Sequence, residues 1–431
     1  MRALLVTHGT RGDVQPFLAL AVALRERGHD AVLAAPASFA GAAADHGVEF
    51  APLDEGPNRL LDDPVVREAI SGGYRGVRGK ITAARVARRI KPLMADVLRD
   101  VGAAARQGAD VVVHAPSVPA HHAAEMIGAP AVLAALQPGW VPTSAFPCSM
   151  VALPRLPRFL NRATYLVASG SQRAYAGVAN TWRTTDLGLP RRSRAHDLLH
   201  DEQGRDRLVL QAFSPHVTPV DPQWPATVRT TGFWRLPPRA AWSPPPELAR
   251  FLDDGPTPIY VGFGSMAGRD ARRTAEIVVE AVRTAGARAV VATGWGGLDL
   301  TGRSRDVLVV DQVPHDWLFP RVGAVVHHGG GGTTAAALAA GRPQVVCPFV
   351  ADQPHWAERA HALGVAPAPV RQQRLTADRL AAAITEATTD PAMRRAAERW
   401  GKVIREEDGV GTAVGHLEEL LERRSAASEP A

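Results

Sequence analysis

Six consecutive residues, 328–333, combine the side chains and the backbone freedom that hold a phosphate group. His328 can donate a hydrogen bond to a phosphate oxygen, and the four glycines after it let the backbone approach an anion closely. Thr333 is expected to cap the following helix and to donate its hydroxyl to the same phosphate. The N–H groups and the macrodipole at a helix N-terminus favour negative charge as well. These contacts need no metal ion, and they are predicted at His328, Gly330, Gly332 and Thr333.

An acid and an amide follow the next apolar segment of the chain. Asp352 and Gln353 come soon after the run 344–349, which predicts a buried strand. Carboxylate and amide groups suit the hydroxyls of a sugar. We therefore expect both residues to bind a sugar beside the phosphate.

The elements that position these residues are a strand, a glycine loop, a helix and a second strand. Residues 324–326 form a short apolar run, and the Ala/Leu-rich segment after Thr333 ends near Pro343. In such a βαβ unit the loop lies outside the carboxyl end of its strand, where α/β proteins bind ligands. His327 and His328 are neighbours on a strand and point to opposite faces, so at most one reaches the site. We choose His328, and no further His or Cys recurs at the spacing of metal ligands.

Asp13 is the strongest candidate for a catalytic base. It lies in the segment 7–13, which is predicted to be a loop between a strand at 3–6 and a helix at 14–27. An ordinary aspartate has a pKa near 3.9 and is a weak base toward an alcohol. Capping or turn formation is the alternative role for this side chain. In the same loop, Arg11 is expected to neutralise a diphosphate or to support the loop, and Gly12 is expected to contact the donor.

A second glycine pattern favours a different class of protein. Residues 262–267 read GFGSMA after a predicted strand, which fits the GxGxxG/A pattern of NAD-dependent oxidoreductases. In those proteins the next strand ends in an acid that binds the ribose. Here that strand is followed by Thr293, Gly294 and Trp295, and Asp299 comes only later, so the oxidoreductase is the weaker reading.

With these residues in view, the chain resembles the family 1 glycosyltransferases with the GT-B fold. The resemblance lies in VPHDWLFPRVGAVVHHGGGGTT, PFVADQPHW, VTHGTRGDVQPFLALAVALRERGH, RTTGFW, VGFGSM and ATGWGG, which occur in the family's order. The strings look most like those of sterol glucosyltransferases and of the antibiotic glycosyltransferases of actinobacteria. Plant and macrolide relatives have a histidine at the place of Asp13, whereas sterol and glycopeptide relatives have the GTRGD form. Residues 54–210 match least, and they are expected to build the acceptor pocket.

The resemblance implies a fold, a reaction and further donor contacts. The implied fold is α/β, with two Rossmann-like parallel-sheet domains facing across a cleft. The implied reaction is an inverting, metal-independent transfer, with Asp13 taking the proton of the acceptor. Ser265 would bind the diphosphate, while Trp295 and the backbone of Val313 would flank the nucleotide base. Packing between the glycine turns is the alternative role for Trp295.

The predicted domain boundaries follow the distribution of proline and of strand signals. Residues 1–223 are predicted to form an acceptor-binding domain, and 247–404 a nucleotide-sugar-binding domain. Nine prolines between residues 215 and 246 favour a linker, which we place at 224–246. A helix at about 405–425 is expected to pack back on the first domain.

Composition excludes several classes of protein. The net charge of +6 comes from scattered arginines without an aromatic-interleaved basic cluster, so a nucleic-acid partner is not expected. Cys148 and Cys347 are the only cysteines and lie far apart, which argues against a disulfide framework. The N-terminal apolar run is too short for a signal peptide, and no segment is apolar enough to cross a bilayer. We expect a soluble, cytoplasmic monomer or homodimer.

Two remaining stretches are predicted to be solvated helix faces. His121 and His122 fit such a face better than a catalytic role. The arginine-rich segment 83–91 also fits it better than a membrane-binding helix, which a lipid acceptor would favour. The long N-terminal region of fungal sterol enzymes has no counterpart here, which favours a natural-product enzyme.

The predicted function is transfer of a hexose, with glucose favoured, from a UDP- or dTDP-sugar to a hydroxyl of an apolar acceptor. The nucleotide sugar is a co-substrate, and no cofactor is expected. A sterol or lipid glucosyltransferase is the first alternative. A nucleotide-sugar epimerase, a nonhydrolysing hydrolase of such sugars and a non-catalytic sugar-nucleotide-binding protein are the others.

Overall fold

The computed structural model describes residues 1–61, 63, 66, 76–151, 156–237, 242–264, 271–294 and 305–428. These residues form two compact units. The first contains the described residues up to Leu236 together with those from Asp408 onward, and the second those between Pro237 and Glu407.

The first unit is built on a parallel sheet of seven strands in the order β3-β2-β1-β4-β5-β6-β7. Runs of consecutive apolar residues form these strands because both faces of a parallel sheet are covered by helices. In β1, for example, Ala3 to Val6 are all buried. The strands are β1 (Arg2–Val6), β2 (Asp30–Pro36), β3 (Glu49–Leu53), β4 (Val111–His114), β5 (Ala131–Ala135), β6 (Val209–Gln211) and β7 (Val228–Thr230).

Eight helices of the first unit lie in its described part, numbered in chain order along the whole molecule. They are α1 (Arg11–Glu26), α2 (Ala40–Ala44), α3 (Gly56–Leu61), α4 (Gly76–Ala105), α5 (His121–Ile127), α6 (Arg158–Thr164), α7 (Leu166–Thr185) and α15 (Gly409–Ser428). The last of them packs with α1: Val414 and Leu417 share a buried cluster with Leu5, Phe17 and Leu24.

The second unit is built on a parallel sheet of five strands in the order β10-β9-β8-β11-β12. The chain runs outward from β8 to β10 and then returns to the other side of β8. Such a reversal leaves a crevice at the carboxyl ends of the two central strands. The strands are β8 (Ile259–Gly262), β9 (Ala289–Ala292), β10 (Val307–Val310), β11 (Val325–His327) and β12 (Gln344–Val346).

The helices of the second unit cover this sheet. They are α8 (Pro246–Asp253), α9 (Ala271–Thr284), α10 (His315–Leu318), α11 (Gly331–Ala339), α12 (Gln353–Ala362), α13 (Ala377–Thr389) and α14 (Pro391–Glu406). Short 3₁₀ turns complete the two units at Ala37–Phe39, Phe319–Arg321 and Gln372–Arg374. Two parallel sheets with alternating strands and helices confirm the predicted α/β class with two Rossmann-like units.

The boundary between the units lies later than the predicted linker start. Residues 228–230, which we placed in the linker 224–246, form the edge strand β7 and pair in parallel with β6. Prolines flank this strand without interrupting it, as is typical of edge strands. The second unit begins at Pro237, inside the predicted linker.

The predicted solvated face for His121 and His122 is wrong, because both side chains are buried. His122 Nδ1 lies 3.0 Å from Arg183 Nη1, and its Nε2 lies 3.1 Å from the carbonyl oxygen of Ala195. Arg183 also forms an ion pair with Glu125. Helix α7 therefore covers the histidines, which the local sequence does not indicate.

The described residues agree with the expected solvated face of the arginine-rich helix and with the expected unpaired cysteines. Arg85, Arg88 and Lys91 are exposed on α4, in agreement with a solvated face. Cys148 and Cys347 are buried and unbridged. Across the described ranges, no helix combines the length and apolar character needed to cross a bilayer.

Candidate active site

Three glycine turns lie side by side at the carboxyl edge of the second sheet. Gly264 follows β8, Gly294 follows β9 and Gly329 follows β11, with φ values of +60°, +56° and +90°. These left-handed conformations favour glycine. A Cβ on Gly294 would lie only 2.9 Å from the carbonyl oxygen of Gly264. The absence of side chains thus lets the backbone turns pack closely around the end of β11.

The imidazole of His328 fills the space between these turns. A Cβ on Gly264 would lie 3.2 Å from His328 Cε1, and one on Gly330 would lie 2.6 Å from Nε2. The ring nitrogen Nδ1 is buried and has no hydrogen-bond partner among the described residues. Burial lowers the pKa of His328 to about 4, so the ring is neutral near pH 7. A neutral imidazole with an unsatisfied nitrogen is suited to a polar ligand.

His327 has a different environment, in which it stabilises the loop. It is fully buried, and its Nδ1 accepts a hydrogen bond of 3.1 Å from the Gly329 N–H. The ring proton therefore lies on Nε2, which donates to Gln344 Oε1 at 2.8 Å. Burial lowers the pKa of His327 to about 3. Both nitrogens are thus engaged within the protein, and His328 is the histidine left for a ligand.

Helix α11 begins at Gly331, with Gly330 as its extended N-cap. The predicted capping role of Thr333 is wrong, because Thr333 lies inside the first turn. It is the neighbouring Thr334 that is buried and donates its hydroxyl to the carbonyl oxygen of Gly330, at 3.0 Å. The first N–H groups of a helix have no intrahelical acceptor.

The start of α11 is also open. Gly332 is exposed, and a Cβ built on it would have no neighbour within 4 Å among the described residues. The N–H groups of this turn, the half-buried Thr333 hydroxyl and His328 therefore lie at one end of β11. This arrangement is suited to an anion with several acceptor oxygens.

Asp352 and Gln353 lie at the end of the adjacent strand, β12. Gln353 Oε1 accepts hydrogen bonds from the N–H groups of Phe349, at 2.8 Å, and Val350, at 3.3 Å. Its amide nitrogen donates to no described residue and remains suited to a sugar hydroxyl. Ala351 has a φ of 57° and is the only non-glycine residue with positive φ in the described part of the chain. Backbone strain of this kind is typical of functional loops.

Trp356 connects Asp352 with the start of α11, and the sequence prediction missed it. Its indole Nε1 donates to Asp352 Oδ2 at 2.7 Å. A Cβ on Gly331 would lie 3.1 Å from the same nitrogen. Positions 352 and 356 are one turn apart on a helix, so this spacing was the available signal.

Asp13 does not lie in a loop, as predicted, but in the first turn of α1 in the first unit. Its Oδ2 accepts hydrogen bonds from the Thr10 N–H, at 2.8 Å, and from the Thr10 hydroxyl, at 3.2 Å. Thr10 and Asp13 thus form a capping box, which fixes the carboxylate. The Thr-x-x-Asp spacing in the sequence was a signal for this helix start.

The surroundings of Asp13 change its acidity. Burial raises the pKa of Asp13, and the hydrogen bonds from Thr10 and the nearby His8 offset this only in part. A Cβ on Gly9, which has a φ of +145°, would lie 2.3 Å from Asp13 Oδ2, so only glycine leaves room for the carboxylate. A raised pKa makes Asp13 a stronger base than an ordinary aspartate.

The remaining predicted donor contacts lie in several places. Arg11 and Gly12 are exposed at the start of α1, and Arg11 Nε donates to Gln15 Oε1 at 3.1 Å. The Val313 side chain is buried in the hydrophobic core of the second unit. Ser265 and Trp295 lie outside the described residues.

Both halves of the chain match family models. Residues 3–144 match the glycosyltransferase family 28 N-terminal domain. Residues 278–408 match the model described as erythromycin biosynthesis protein CIII-like, C-terminal domain.

Curated relatives match almost the whole chain. The O-mycaminosyltylonolide 6-deoxyallosyltransferase of Streptomyces fradiae is 36% identical over 451 residues, and the match covers 100% of each chain. A sterol 3-beta-glucosyltransferase of Arabidopsis thaliana is 34% identical over 96% of this chain. The match spans 64% of the Arabidopsis protein, and a similar match spans 30% of the sterol 3-beta-glucosyltransferase of Emericella nidulans.

Solved structures support the same fold. The kitacinnamycin glycosyltransferase superposes with a TM-score of 0.71 over 97% of this chain and 99% of that one, at 22% sequence identity. Together with the relatives and the two sheets, this shows that the chain belongs to the family of GT-B glycosyltransferases that includes the sterol 3-beta-glucosyltransferases and the antibiotic glycosyltransferases of Streptomyces.

Proposed function

We propose that this glycosyltransferase moves a hexose from a UDP- or dTDP-sugar to a hydroxyl of an apolar small-molecule acceptor, with inversion at the anomeric carbon. The observation that carries the proposal is the combination of His328 and the open start of α11 at the carboxyl edge of the second sheet. His328 has an unsatisfied buried nitrogen, and Gly332 leaves room for a ligand beside the helix N–H groups. A nucleoside diphosphate supplies the negative charge and the acceptor oxygen atoms that His328 and the helix N–H groups can bind.

The sugar would lie beside the diphosphate. Asp352 and Gln353 follow the strand next to β11, and Trp356 holds the Asp352 carboxylate at 2.7 Å. A fixed carboxylate and an amide N–H₂ recognise hydroxyl groups of a hexose. Glucose is our first choice because the sterol enzymes among the relatives are named as glucosyltransferases.

In the proposed reaction the acceptor oxygen attacks the anomeric carbon from the face opposite the diphosphate. The bond between that carbon and the diphosphate oxygen breaks, and the nucleoside diphosphate leaves with the bonding electrons. The proton of the acceptor hydroxyl passes to Asp13. The raised pKa of Asp13 favours this step, and the capping box with Thr10 keeps the carboxylate in one orientation.

We propose that the leaving diphosphate is stabilised by the N-terminus of α11 and by His328, in place of a divalent ion. Turnover is therefore expected to continue in excess EDTA. The measurement is the initial rate with and without EDTA, followed by addition of magnesium or manganese. Loss of activity in EDTA and its recovery with either metal would contradict this part of the proposal.

The decisive experiment is a screen of donors and acceptors with product detection by mass spectrometry. UDP-glucose, dTDP-glucose and dTDP-linked deoxyhexoses would each be combined with a sterol and with hydroxylated macrolide and phenolic aglycones. Product from an aglycone supports the proposal, whereas product from the sterol alone favours the lipid glucosyltransferase. Conversion of the donor without any acceptor would instead indicate an epimerase or a hydrolase.

A further inference from the structure

The first unit contains a cavity within residues 140–200, part of the stretch 54–210 that is expected to build the acceptor pocket. It has a volume of about 350 Å³ and lies between α7 and the segment 194–200. This volume is within the usual range of small-molecule sites, about 300–1,000 Å³. None of the residues assigned above to the donor or to proton transfer lines it. A ligand in this cavity would therefore be a molecule other than the nucleotide sugar.

The cavity has an apolar side and a basic side. Trp140, Leu198 and Leu199 supply the apolar side. Arg173 and Arg194, both exposed at the rim, supply two guanidinium groups. A ligand that fills the cavity would thus meet apolar surface and positive charge together.

In the part of the chain that the structure describes, neither positive charge has a carboxylate partner. Arg173 Nε donates to His196 Nε2 at 3.3 Å, and the Arg194 side chain makes no hydrogen bond or ion pair with any described residue. Among the described residues, Asp197 is the only acid that lines the cavity. Its carboxylate already accepts hydrogen bonds from the N–H groups of Leu199 and His200 and from His200 Nδ1.

Two further hydrogen-bond donors belong to residues that line the cavity, His196 and Trp140, and no acceptor for either is found among the described residues. Burial and the charges of Arg173 and Arg194 lower the pKa of His196 although Asp197 opposes the shift, which favours the neutral ring near pH 7. Because His196 Nε2 accepts from Arg173, the ring proton lies on Nδ1. The indole N–H of Trp140 is buried and has no partner among the described residues. A buried donor without an acceptor is costly unless a ligand or water satisfies it.

The chain around the cavity reinforces the positive potential. Residues 126–185 contain five arginines and no aspartate or glutamate. On the α7 side the rim cations therefore meet no acidic side chain from this stretch, whereas the other side includes Asp197 and is followed in sequence by Asp201 and Glu202.

We infer that this cavity binds an amphipathic organic anion. Its ring or chain packs against Trp140 and Leu198, and its carboxylate, sulfonate or phosphate lies between Arg173 and Arg194. Guanidinium groups suit such anions because they donate two parallel hydrogen bonds. None of the residues assigned to the donor or to proton transfer lines this site, and its test does not depend on turnover.

The test compares two fluorescent probes of the same shape. Anilinonaphthalene sulfonate has an apolar ring system and a negative charge, and N-phenylnaphthylamine has the same rings without the charge. Both are titrated into the full chain, into the R173M/R194M variant and into an R158M/R191M control. Arg158 and Arg191 are exposed but do not line the cavity, and Arg158 precedes the exposed Phe159, where a dye could also bind.

We expect R173M/R194M to weaken binding of the sulfonate at least tenfold and to leave binding of the uncharged dye unchanged. The control pair should bind both dyes as the wild type does. Equal affinity of wild type and R173M/R194M for the sulfonate would overturn the inference. So would an equal loss in the control pair, because the anion would then bind at another arginine-rich surface.

Discussion

Two adjacent histidines at the end of β11 have opposite roles because their ring nitrogens have different partners. His327 uses both nitrogens within the fold, one for the Gly329 N–H and one for Gln344. His328 is packed between glycine turns and keeps a buried nitrogen without a partner in the described part of the chain. Replacing His327 should therefore affect stability first, and replacing His328 should affect binding first.

We predict that His328→Ala weakens binding of UDP or dTDP by about 1–3 kcal/mol, the usual loss for a hydrogen bond to a charged group. Isothermal calorimetry measures this, and Tm should fall only by the loss of ring packing, because no described residue bonds to the ring. His327→Ala is the contrasting variant and should lower Tm clearly, since it leaves Gln344 and the Gly329 N–H unsatisfied. Wild-type nucleotide affinity in His328→Ala would remove this histidine from the donor site.

Asp13 is predicted to be the base, and Asp13→Asn should lower kcat by about 100- to 10,000-fold with little change in donor affinity. The loss should be smaller for an acidic phenol than for an aliphatic alcohol. In the wild type, kcat/KM should fall with decreasing pH as Asp13 becomes protonated. Because burial raises its pKa, the midpoint of that fall should lie above the ordinary value of 3.8.

Stability separates catalysis from capping at the same residue. The folded state binds the Asp13 proton more tightly than the unfolded state does, so ionised Asp13 costs stability once the pH exceeds the raised pKa. Near pH 7, Asp13→Asn should therefore leave Tm unchanged or raise it, because asparagine can still accept from Thr10. A fall of about 1 kcal/mol in stability with near-normal kcat would show that Asp13 acts only as a cap.

The sequence could predict which residue types occupy strand ends, but not which of them are covered by distant elements. His328 directly follows β11, and Asp352 and Gln353 follow β12 after a short loop. The sequence therefore predicts that all three lie at the carboxyl edge of the sheet. His121 and His122 were placed on the surface because the helix that buries them, α7, is more than 40 residues away. The sequence favours Thr333 as the cap because a glycine has no side chain that indicates capping. In the structure, however, Gly330 is the N-cap.

At the scale of elements, the start of α11 depends on glycines for different reasons. A Cβ on Gly330 would collide with His328 at 2.6 Å, and one on Gly331 would crowd Trp356 at 3.1 Å, so packing within the protein favours glycine at both positions. A Cβ on Gly332 would meet none of the described residues within 4 Å. If the protein does not need a glycine there, a ligand that approaches the backbone is the remaining reason for it.

We therefore predict that Gly332→Ala stabilises the fold by up to about 1 kcal/mol, because alanine favours a helix more than glycine does. The same change should weaken nucleotide binding at least tenfold, since the methyl group would occupy the place of a phosphate oxygen. Gly177→Ala in α7 is the matched control: it also has no neighbour within 4 Å and should stabilise without affecting binding. Unchanged nucleotide affinity in Gly332→Ala would place the phosphate elsewhere.

The sequence predicts strands that consist of consecutive buried apolar residues. It does not predict a strand that is recognised only by its hydrogen bonds to a neighbouring strand. Strands β1, β8 and β12 stand out because parallel sheets need apolar residues on both faces. Strand β7 has the half-buried residues Val228–Thr230 in a proline-rich stretch, so nothing local distinguishes it from a linker. Only its pairing with β6 makes it a strand.

At the scale of the molecule, the chain ends in the unit in which it begins. Helix α15 follows the second unit in sequence but packs on α1, and Glu418 bonds to His29 at 2.8 Å and to Arg27 at 3.0 Å. The core of the first unit is therefore completed by residues almost 400 positions away. Such contacts form only after a large loop has closed.

We predict that Leu417→Ala lowers the free energy of unfolding of the first unit by about 2–5 kcal/mol, the usual result of truncating a fully buried leucine. Leu417 is completely buried in the cluster that also contains Leu5 and Phe17. Urea unfolding followed by tryptophan fluorescence measures the change, and nucleotide binding to the second unit should persist. Glu419→Ala is the control. Glu419 lies two residues further along the helix at an exposed position, and its replacement should change stability by less than about 0.5 kcal/mol. If both variants unfold at the same urea concentration as the wild type, α15 does not contribute to the core in the way its packing indicates.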